Sequence, residues 1–234
     1  MHALRPDDND KENAMPPSAP LSAYAAPAPR TAPGLTRHAP AGTAATAPGE
    51  RPALARLCRQ IDDAFDVFAA WPDPSQHAEF ARRVRAALAD AGAADAWLTD
   101  TERACDPQRY CRHLLAADPL GRYAIVSLVW RPGQWSPVHG HRTWCGYTVL
   151  DGTLVETLYD WDAATGHATE ARRHPRETGA VSFVRPGAHG IHRLGHGGDG
   201  GSAPAVSLHV YGVPGERIAT HVNDLVPVAT SVRA

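Results

Sequence analysis

One short stretch of the chain places three potential metal ligands close together: HGHRTWCGYTVLDG, from His139 to Gly152. His139 and His141 are separated by one residue, and Cys145 follows four positions after the second histidine. Because side chains two positions apart on a β-strand point to the same face, the H-x-H pair can present two imidazoles to one ion. Imidazole binds iron, zinc, copper and nickel, so the pair indicates a transition-metal site without selecting the metal. An isolated H-x-H is also typical of surface or hydrogen-bonded histidines.

A third imidazole is available in the later stretch RPGAHGIH, which contains His189 and His192. The two are three positions apart and therefore face opposite sides of an extended strand, so we expect one ion to take only one of them. The spacing leaves the choice between them open. Nine of the 13 histidines lie between His139 and His221, which favours a metal site or acid–base chemistry in that half of the chain.

A second polar group of residues lies on the segment AVSLHVYGVP, where Ser207, His209 and Tyr211 alternate. On one strand all three face the same side. They form a hydrogen-bonding relay beside the metal if that side is interior, and an ordinary solvent-facing row if the core takes the alternate positions. Those alternate positions are Val206, Leu208 and Val210. Alternation does not decide between the two faces, and we favour the relay because it places a phenol next to the metal.

The elements that position these residues are predicted from periodicity. The apolar residues of RPALARLCRQIDDAFDVFAAW recur at helical spacing and predict an amphipathic helix. The stretch DPSQHAEFARRVRAALADAG predicts a second helix, with Asp73 or Ser75 as N-cap and Gly92 near its end. A shorter third helix is expected over DPQRYCRHLLAAD.

Closely spaced strands follow the helices. GRYAIVSLVW predicts a strand, and GYTVLDGTLVETLYDW predicts a hairpin that turns at Asp151 and Gly152. GAVSFVRPG, GIHRL and AVSLHVYGVP are further short strands. This order predicts a mainly β fold, a small barrel or sandwich with a helical layer on one side. We expect one domain over residues 51–234, with a helical part over 51–117 and a barrel over 118–234, preceded by a disordered Ala/Pro-rich tail over 1–50.

The bulk properties exclude several function classes. The formal net charge is −2, so global electrostatics do not favour nucleic acid or anionic membrane as partners. No apolar run is long enough to span a bilayer, and the acidic DDNDKE stands where a signal peptide would need basic and apolar residues. We therefore expect a cytoplasmic protein whose four scattered cysteines are free thiols.

The spacing of Gly133, the H-x-H pair, Cys145 and Gly152 resembles the first motif of the cupins, small β-barrels that hold a metal in the barrel mouth. Cys145 takes the position where most cupins have a glutamate. The segments YCRHLL, HGHRTWCGYTVLDGTLVETLYDW, GIHRL and SLHVYGVP together resemble, in order, the cysteine dioxygenase family of thiol dioxygenases within the cupin superfamily. The resemblance covers about Tyr110 to Pro214 and implies a jelly-roll-like cupin barrel.

The resemblance also implies roles for individual residues. Three histidines match the ligands of Fe(II): His139, His141 and His192. Four residues match catalytic positions, Cys145 being the cysteine that in some members forms a thioether with the tyrosine: Tyr211, His209, Ser207 and Cys145. Arg112 matches the arginine that binds the substrate carboxylate, and Tyr110 is expected to line the same pocket. The implied reaction converts L-cysteine and O2 to cysteine sulfinate.

Three alternatives bear on that reading. The related mercaptopropionate dioxygenases resemble this chain but have a glutamine where Arg112 stands, so 3-mercaptopropionate or another small thiol is the alternative substrate. A non-enzymatic metal-binding cupin is the alternative from a different class. Without the resemblance, Arg112 would be a surface helix residue paired with Asp106 or Asp118.

Overall fold

A computed structural model describes residues 51–94, 98–199 and 201–229, apart from the side chains of residues 188 and 189. The tail predicted over residues 1–50 lies outside the described residues. Two helices come first: α1 (Pro52–Val67) and α2 (Ala78–Gly92). The strands that follow are β1 (Cys111–Ala117), β2 (Ala124–Trp130), β3 (His139–His141), β4 (Cys145–Asp151), β5 (Thr153–Asp162), β6 (His167–Glu177), β7 (Val181–Val184), β8 (Gly187–Gly195), β9 (Ala205–Tyr211) and β10 (Asn223–Leu225).

The strands form two five-stranded antiparallel sheets. The first sheet has the order β1-β2-β9-β4-β7, and the second has the order β10-β3-β8-β5-β6. Both helices pack on the outer face of the first sheet, and the second sheet lies against its inner face. The predicted mainly β cupin architecture with a helical layer on one side is therefore confirmed.

Helix α2 approaches the first sheet closely at Gly146 in β4. A Cβ atom at this position would lie 2.7 Å from Leu88 Cδ1 and 3.2 Å from Val84 Cγ1. A glycine thus lets two apolar side chains of the helix seat directly on the strand. The result is a continuous apolar layer between the helices and the sheet, to which β9 contributes Val206, Leu208 and Val210.

The third helix predicted over DPQRYCRHLLAAD is wrong, because Cys111–Ala117 forms the edge strand β1. Cys111 pairs with Val129 and Ala117 with Ala124 in antiparallel register with β2. Short apolar runs fit a strand or a helix equally well, and here the backbone hydrogen bonds to β2 decide. The strands accordingly begin at Cys111 rather than at residue 118, and Arg112 stands on a strand.

The two strands predicted around Asp151 and Gly152 both form, but the hairpin is wrong. β4 pairs with β7 and β9 in the first sheet, whereas β5 pairs with β6 and β8 in the second. Gly152 has a φ of +75°, and a Cβ atom there would lie 3.0 Å from the Cβ of Ala205. The D-G signal therefore marks the point where the chain crosses from one sheet to the other.

Several smaller expectations have clear outcomes. Asp73 caps the short 3₁₀ turn over residues 74–76, while α2 itself is capped by His77, whose Nδ1 accepts from the Glu79 amide. Helix α2 ends at Gly92, as predicted. All four cysteines are free thiols. None of the helices in the described ranges combines the length and apolar content that a membrane span needs.

The packing of α2 on β4 predicts a large stability cost for Leu88→Ala. Leu88 is 0% exposed, so truncation loses buried apolar area and leaves a cavity, at about 2–5 kcal/mol of unfolding free energy. Leu120→Ala is the matched control, because Leu120 is 75% exposed and its loss should cost no more than about 0.5 kcal/mol. Urea unfolding measures both. Equal losses in the two variants would contradict the close seating of the helix.

Candidate metal centre

Three histidine side chains converge at one point between the sheets. His139 and His141 come from β3 and His192 comes from the neighbouring β8, where its Cα lies opposite that of His139. One imidazole nitrogen from each lies within 4.8 Å of the other two, and the ring centroids are 4.8 to 5.1 Å apart. All three are buried. The structure thus brings together the histidines that the sequence analysis singled out, whereas the side chain of His189 lies outside the described part of the chain.

Hydrogen bonds orient two of the three rings toward a common ion. The Nδ1 atom of His139 lies 2.9 Å from the Pro137 carbonyl oxygen, and that of His192 lies 2.7 Å from Glu156 Oε1. Since a carbonyl or carboxylate oxygen only accepts, each Nδ1 carries the proton and each Nε2 keeps a free lone pair. His141 Nδ1 is buried without a hydrogen-bond partner among the described residues.

The ionisation of these rings suits a metal ligand. Burial, together with the neighbouring His192, lowers the pKa of His139 to about 3. Burial and the two neighbouring histidines hold the pKa of His141 well below its usual value. Neutral imidazole is the form that binds a metal, so the donor set fits a first-row transition metal without first releasing protons from these two rings.

Glu156 in β5 stands directly behind His192. It is 5% exposed, and its Oε2 lies 3.2 Å from His174 Nε2 and 3.6 Å from Arg176 Nε. Burial raises the pKa of Glu156, but the hydrogen bond from His192 and the charge of Arg176 outweigh it and lower the pKa overall. An ionised carboxylate therefore contacts one member of the histidine cluster, His192, on the side away from the other two rings.

The sequence analysis missed Glu156, although a signal was present. In GTLVETLYDW the residues Leu154, Glu156 and Leu158 alternate on one face of β5. An acidic residue in the middle of an apolar face is the kind of buried polar group that needs a specific partner.

The row of polar residues on β9 faces the interior. Every residue of β9 is buried, because the apolar row packs against the helices while Ser207, His209 and Tyr211 face the second sheet. Ser207 Oγ lies 2.9 Å from His209 Nε2, and the Tyr211 hydroxyl lies 3.2 Å from His209 Nδ1. Trp130 Nε1 donates to Ser207 Oγ at 2.9 Å. Burial lowers the pKa of His209 and raises that of Tyr211, so both are neutral.

Cys145 adjoins this row rather than the histidine cluster. In the pairing of β4 with β9 its Cα lies opposite that of Tyr211, and its Sγ lies 3.9 Å from His209 Nδ1. Burial raises the pKa of the Cys145 thiol, so it is protonated. The thiol and the phenol therefore stand side by side next to His209.

Arg112 projects from β1 into the same cavity. Its Nη1 donates to the Ile218 carbonyl at 3.2 Å, and its guanidinium carbon lies 5.9 Å from the ring centre of Tyr211. Its Nε is buried and has no hydrogen-bond partner among the described residues. Across the described ranges no carboxylate lies within ion-pair distance of this guanidinium. The cavity therefore contains a cation with unused donors.

The alternative in which Arg112 pairs with Asp106 or Asp118 is wrong. Asp106 lies 3.7 Å from Arg109 Nε, and Asp118 accepts from Arg122 Nε at 2.8 Å. Each carboxylate is thus held by another arginine, and Arg112 is turned inward.

Aromatic and polar side chains from both sheets line the cavity. Tyr110 stacks on Trp130 with the ring centres 4.4 Å apart. Among the described residues the lining consists of Tyr110, Arg112, Leu128, Trp130, Ser136, His139, His141, Cys145, His192, His209, Tyr211 and Asn223. Except for Ser207, which lies behind His209, all residues predicted for the site line this cavity.

Comparison with known proteins gives one family match. The family model described as cysteine dioxygenase type I matches residues 75–223. The chain is 29% identical to the cysteine dioxygenase type 1 of Rattus norvegicus over 113 residues and to that of Danio rerio over 117 residues. Each match covers 47% of this chain and 54% of the relative, so the chain spans about half the length of these curated relatives.

Solved structures give weaker likenesses. A protein from Thermus thermophilus has a TM-score of 0.38 with 18% identity, covering 50% of this chain and 95% of that chain. A protein with a double-stranded β-helix domain from Klebsiella pneumoniae has a TM-score of 0.41 with 16% identity, covering 57% and 93%.

The converging rings predict that each ligand histidine is needed for metal. His139→Ala, His141→Ala and His192→Ala should each lose most bound metal, measured by elemental analysis of purified protein. His221→Ala is the control, because this exposed histidine lies outside the cavity. His189→Ala should keep its metal. Full metal in His192→Ala together with loss in His189→Ala would contradict the assignment of the third ligand.

Proposed function

The chain belongs to the cysteine dioxygenase type I family, and we propose that it is an iron-dependent thiol dioxygenase that converts L-cysteine and dioxygen to cysteine sulfinate. The observation that carries the proposal is the guanidinium of Arg112, which has no carboxylate partner among the described residues and lies in the same cavity as the three histidines. A metal beside a fixed cation suits a small substrate that has a thiol at one end and a carboxylate at the other.

We assign the metal position to Fe(II), held by His139, His141 and His192. Bound iron would supply the redox chemistry between dioxygen and a thiol that amino-acid side chains lack. The product is the sulfinate step of the thiol oxidation ladder, in which sulfur gains both oxygen atoms.

Arg112 is the proposed carboxylate anchor. Its guanidinium is always charged and offers donors in a fork that matches a carboxylate. The Ile218 carbonyl occupies one donor, while the buried Nε has no protein partner in the described ranges. A bound carboxylate would satisfy these donors and hold the thiol end at the histidine cluster, which makes the reaction effectively intramolecular.

Tyr211 is the proposed hydrogen-bond donor to the substrate. Burial raises the pKa of its hydroxyl, so the proton stays on the oxygen. The contact with His209 positions that hydroxyl, and Ser207 in turn holds His209 from behind. The stacked rings of Tyr110 and Trp130 would form an aromatic wall beside the substrate.

A thioether between Cys145 and Tyr211 remains an implication of the resemblance, although their adjacent strand positions support it. The cytoplasmic location, and a partner set limited to the thiol and O2 without nucleic acid or membrane, also stay predictions.

The carboxylate anchor predicts a strong effect of Arg112→Gln on cysteine oxidation. Removing the guanidinium leaves a substrate carboxylate unpaired in a partly desolvated cavity, at about 2–5 kcal/mol, or at least about 30-fold in kcat/KM. The relative rate on 3-mercaptopropionate should rise. Cysteamine, which has no carboxylate, should be a poor substrate for both proteins. Oxygen uptake with the three thiols measures all of these rates.

Arg109→Gln is the matched control, because Arg109 is exposed and paired with Asp106 on the preceding loop. It should leave every rate unchanged. An unchanged cysteine rate in Arg112→Gln would overturn the carboxylate anchor. A parent protein that binds metal but consumes no oxygen with any thiol would favour the non-enzymatic cupin, and a preference for 3-mercaptopropionate would favour the alternative substrate.

A further inference from the structure

We propose that Glu156 is a positioning residue of the metal centre, which fixes His192 as a ligand and supplies a carboxylate that the ligand set itself lacks. The proposal rests on the metal site described above. The three candidate ligands are all histidines, so the ligand set itself contains no carboxylate. Glu156 places one negative charge next to this set through a hydrogen bond instead of a metal bond.

The geometry fixes the ring of His192. Glu156 Oε1 accepts from His192 Nδ1 at 2.7 Å, which is short enough for a charge-assisted hydrogen bond. The bond holds the proton on Nδ1 and directs Nε2 toward the other two histidines. A carboxylate in this position also makes the opposite nitrogen a stronger donor to a metal.

The carboxylate is itself held in place from the other side. Its second oxygen faces His174 Nε2 at 3.2 Å and Arg176 Nε at 3.6 Å, and Arg176 Nη2 donates to the Val181 carbonyl at 2.8 Å. With both oxygens engaged, Glu156 cannot rotate away from His192 without leaving a cation unpaired.

The same group of residues supports the β9 relay. The guanidinium of Arg176 lies 5.4 Å from the ring centre of Tyr147, and that ring stacks on His209 with the centres 5.1 Å apart. A chain of contacts therefore leads from His192 through Glu156 and Arg176 to Tyr147. Tyr147 in turn stacks on His209, which contacts the Tyr211 hydroxyl.

The ion pairs of Glu156 are by themselves a weak reason for burying an acid at this position. The cross-strand partners of Glu156 are the buried Leu194 on β8 and the half-buried His174 on β6. Leu154 on the same face of β5 is fully buried. An apolar residue would fit such a face at lower cost, since a buried ion pair is often no more stabilising than apolar packing. The carboxylate is explained by what it does to His192.

The test measures metal affinity in the apo-protein, independently of turnover. Zn(II) affinity is obtained by competition with a chelator, and Co(II) absorption reports coordination geometry, for the parent, Glu156→Gln, Glu156→Asp and Glu177→Gln. Glu177 is exposed on β6 and serves as the control. We expect Glu156→Gln to bind Zn(II) about 10–100-fold more weakly and to shift the Co(II) bands. Glu177→Gln should match the parent.

If Glu156 had a purely structural role, Glu156→Gln would give a different result. It would lower the unfolding free energy of the apo-protein while leaving the Zn(II) affinity and the Co(II) spectrum of the folded fraction unchanged, and this result would overturn the proposal. If Glu156→Gln does not fold, Glu156→Asp gives the decision, because the shorter side chain withdraws the carboxylate from Nδ1 and should likewise weaken Zn(II) binding and shift the spectrum.

The proposed function and the role of Glu156 can fail separately. A parent protein that binds metal but oxidises no thiol would refute the proposed dioxygenase activity. Weaker Zn(II) binding by Glu156→Gln than by the parent would still support the role of Glu156. Equal Zn(II) affinity in the parent and both Glu156 variants would refute only the positioning role of Glu156. A parent that binds no metal would refute both.

Discussion

The whole site depends on the antiparallel pairing of β3 with β8, which sets the Cα of His139 opposite that of His192. The H-x-H spacing adds His141 on the same side, and the next strand in that sheet, β5, places Glu156 behind His192. A slip of one residue would turn the β8 side chains to the opposite face and remove the third imidazole from the cluster. Register, more than any single contact, makes the three nitrogens converge.

The two sheets supply different parts of the chemistry. The second sheet carries the three histidines and Glu156, whereas the first carries Arg112, Cys145 and the relay on β9. The cavity exists only where these faces meet. Buried polar groups that satisfy one another become stiff, because each unmade hydrogen bond is costly in a medium of low dielectric constant. Arg112 keeps donors without a protein partner among the described residues. An anionic ligand would therefore bind most favourably beside its guanidinium.

The helical layer makes this arrangement possible. A sheet with a polar row on one face needs apolar burial on the other to stay folded. Helices α1 and α2 provide it by covering the alternate residues of β9, and Gly146 lets α2 approach closely enough to do so. Apolar burial on the outer face of β9 thus helps to offset the free-energy cost of burying the polar row on its inner face.

The sequence by itself determined the periodic features: the two amphipathic helices, most of the strands, the H-x-H pair on one face and the alternating row on β9. These follow from local geometry, in which residues two apart share a face whatever lies beyond. Only the tertiary structure decided that β1 is a strand, that β4 and β5 lie in different sheets, and that the polar row of β9 faces inward. Alternation could not show the last point, because both faces of β9 are buried. Glu156 is likewise defined by its contact with His192, which is 36 residues away along the chain. Such contacts depend on which strands pair, and local pattern carries no information about that choice.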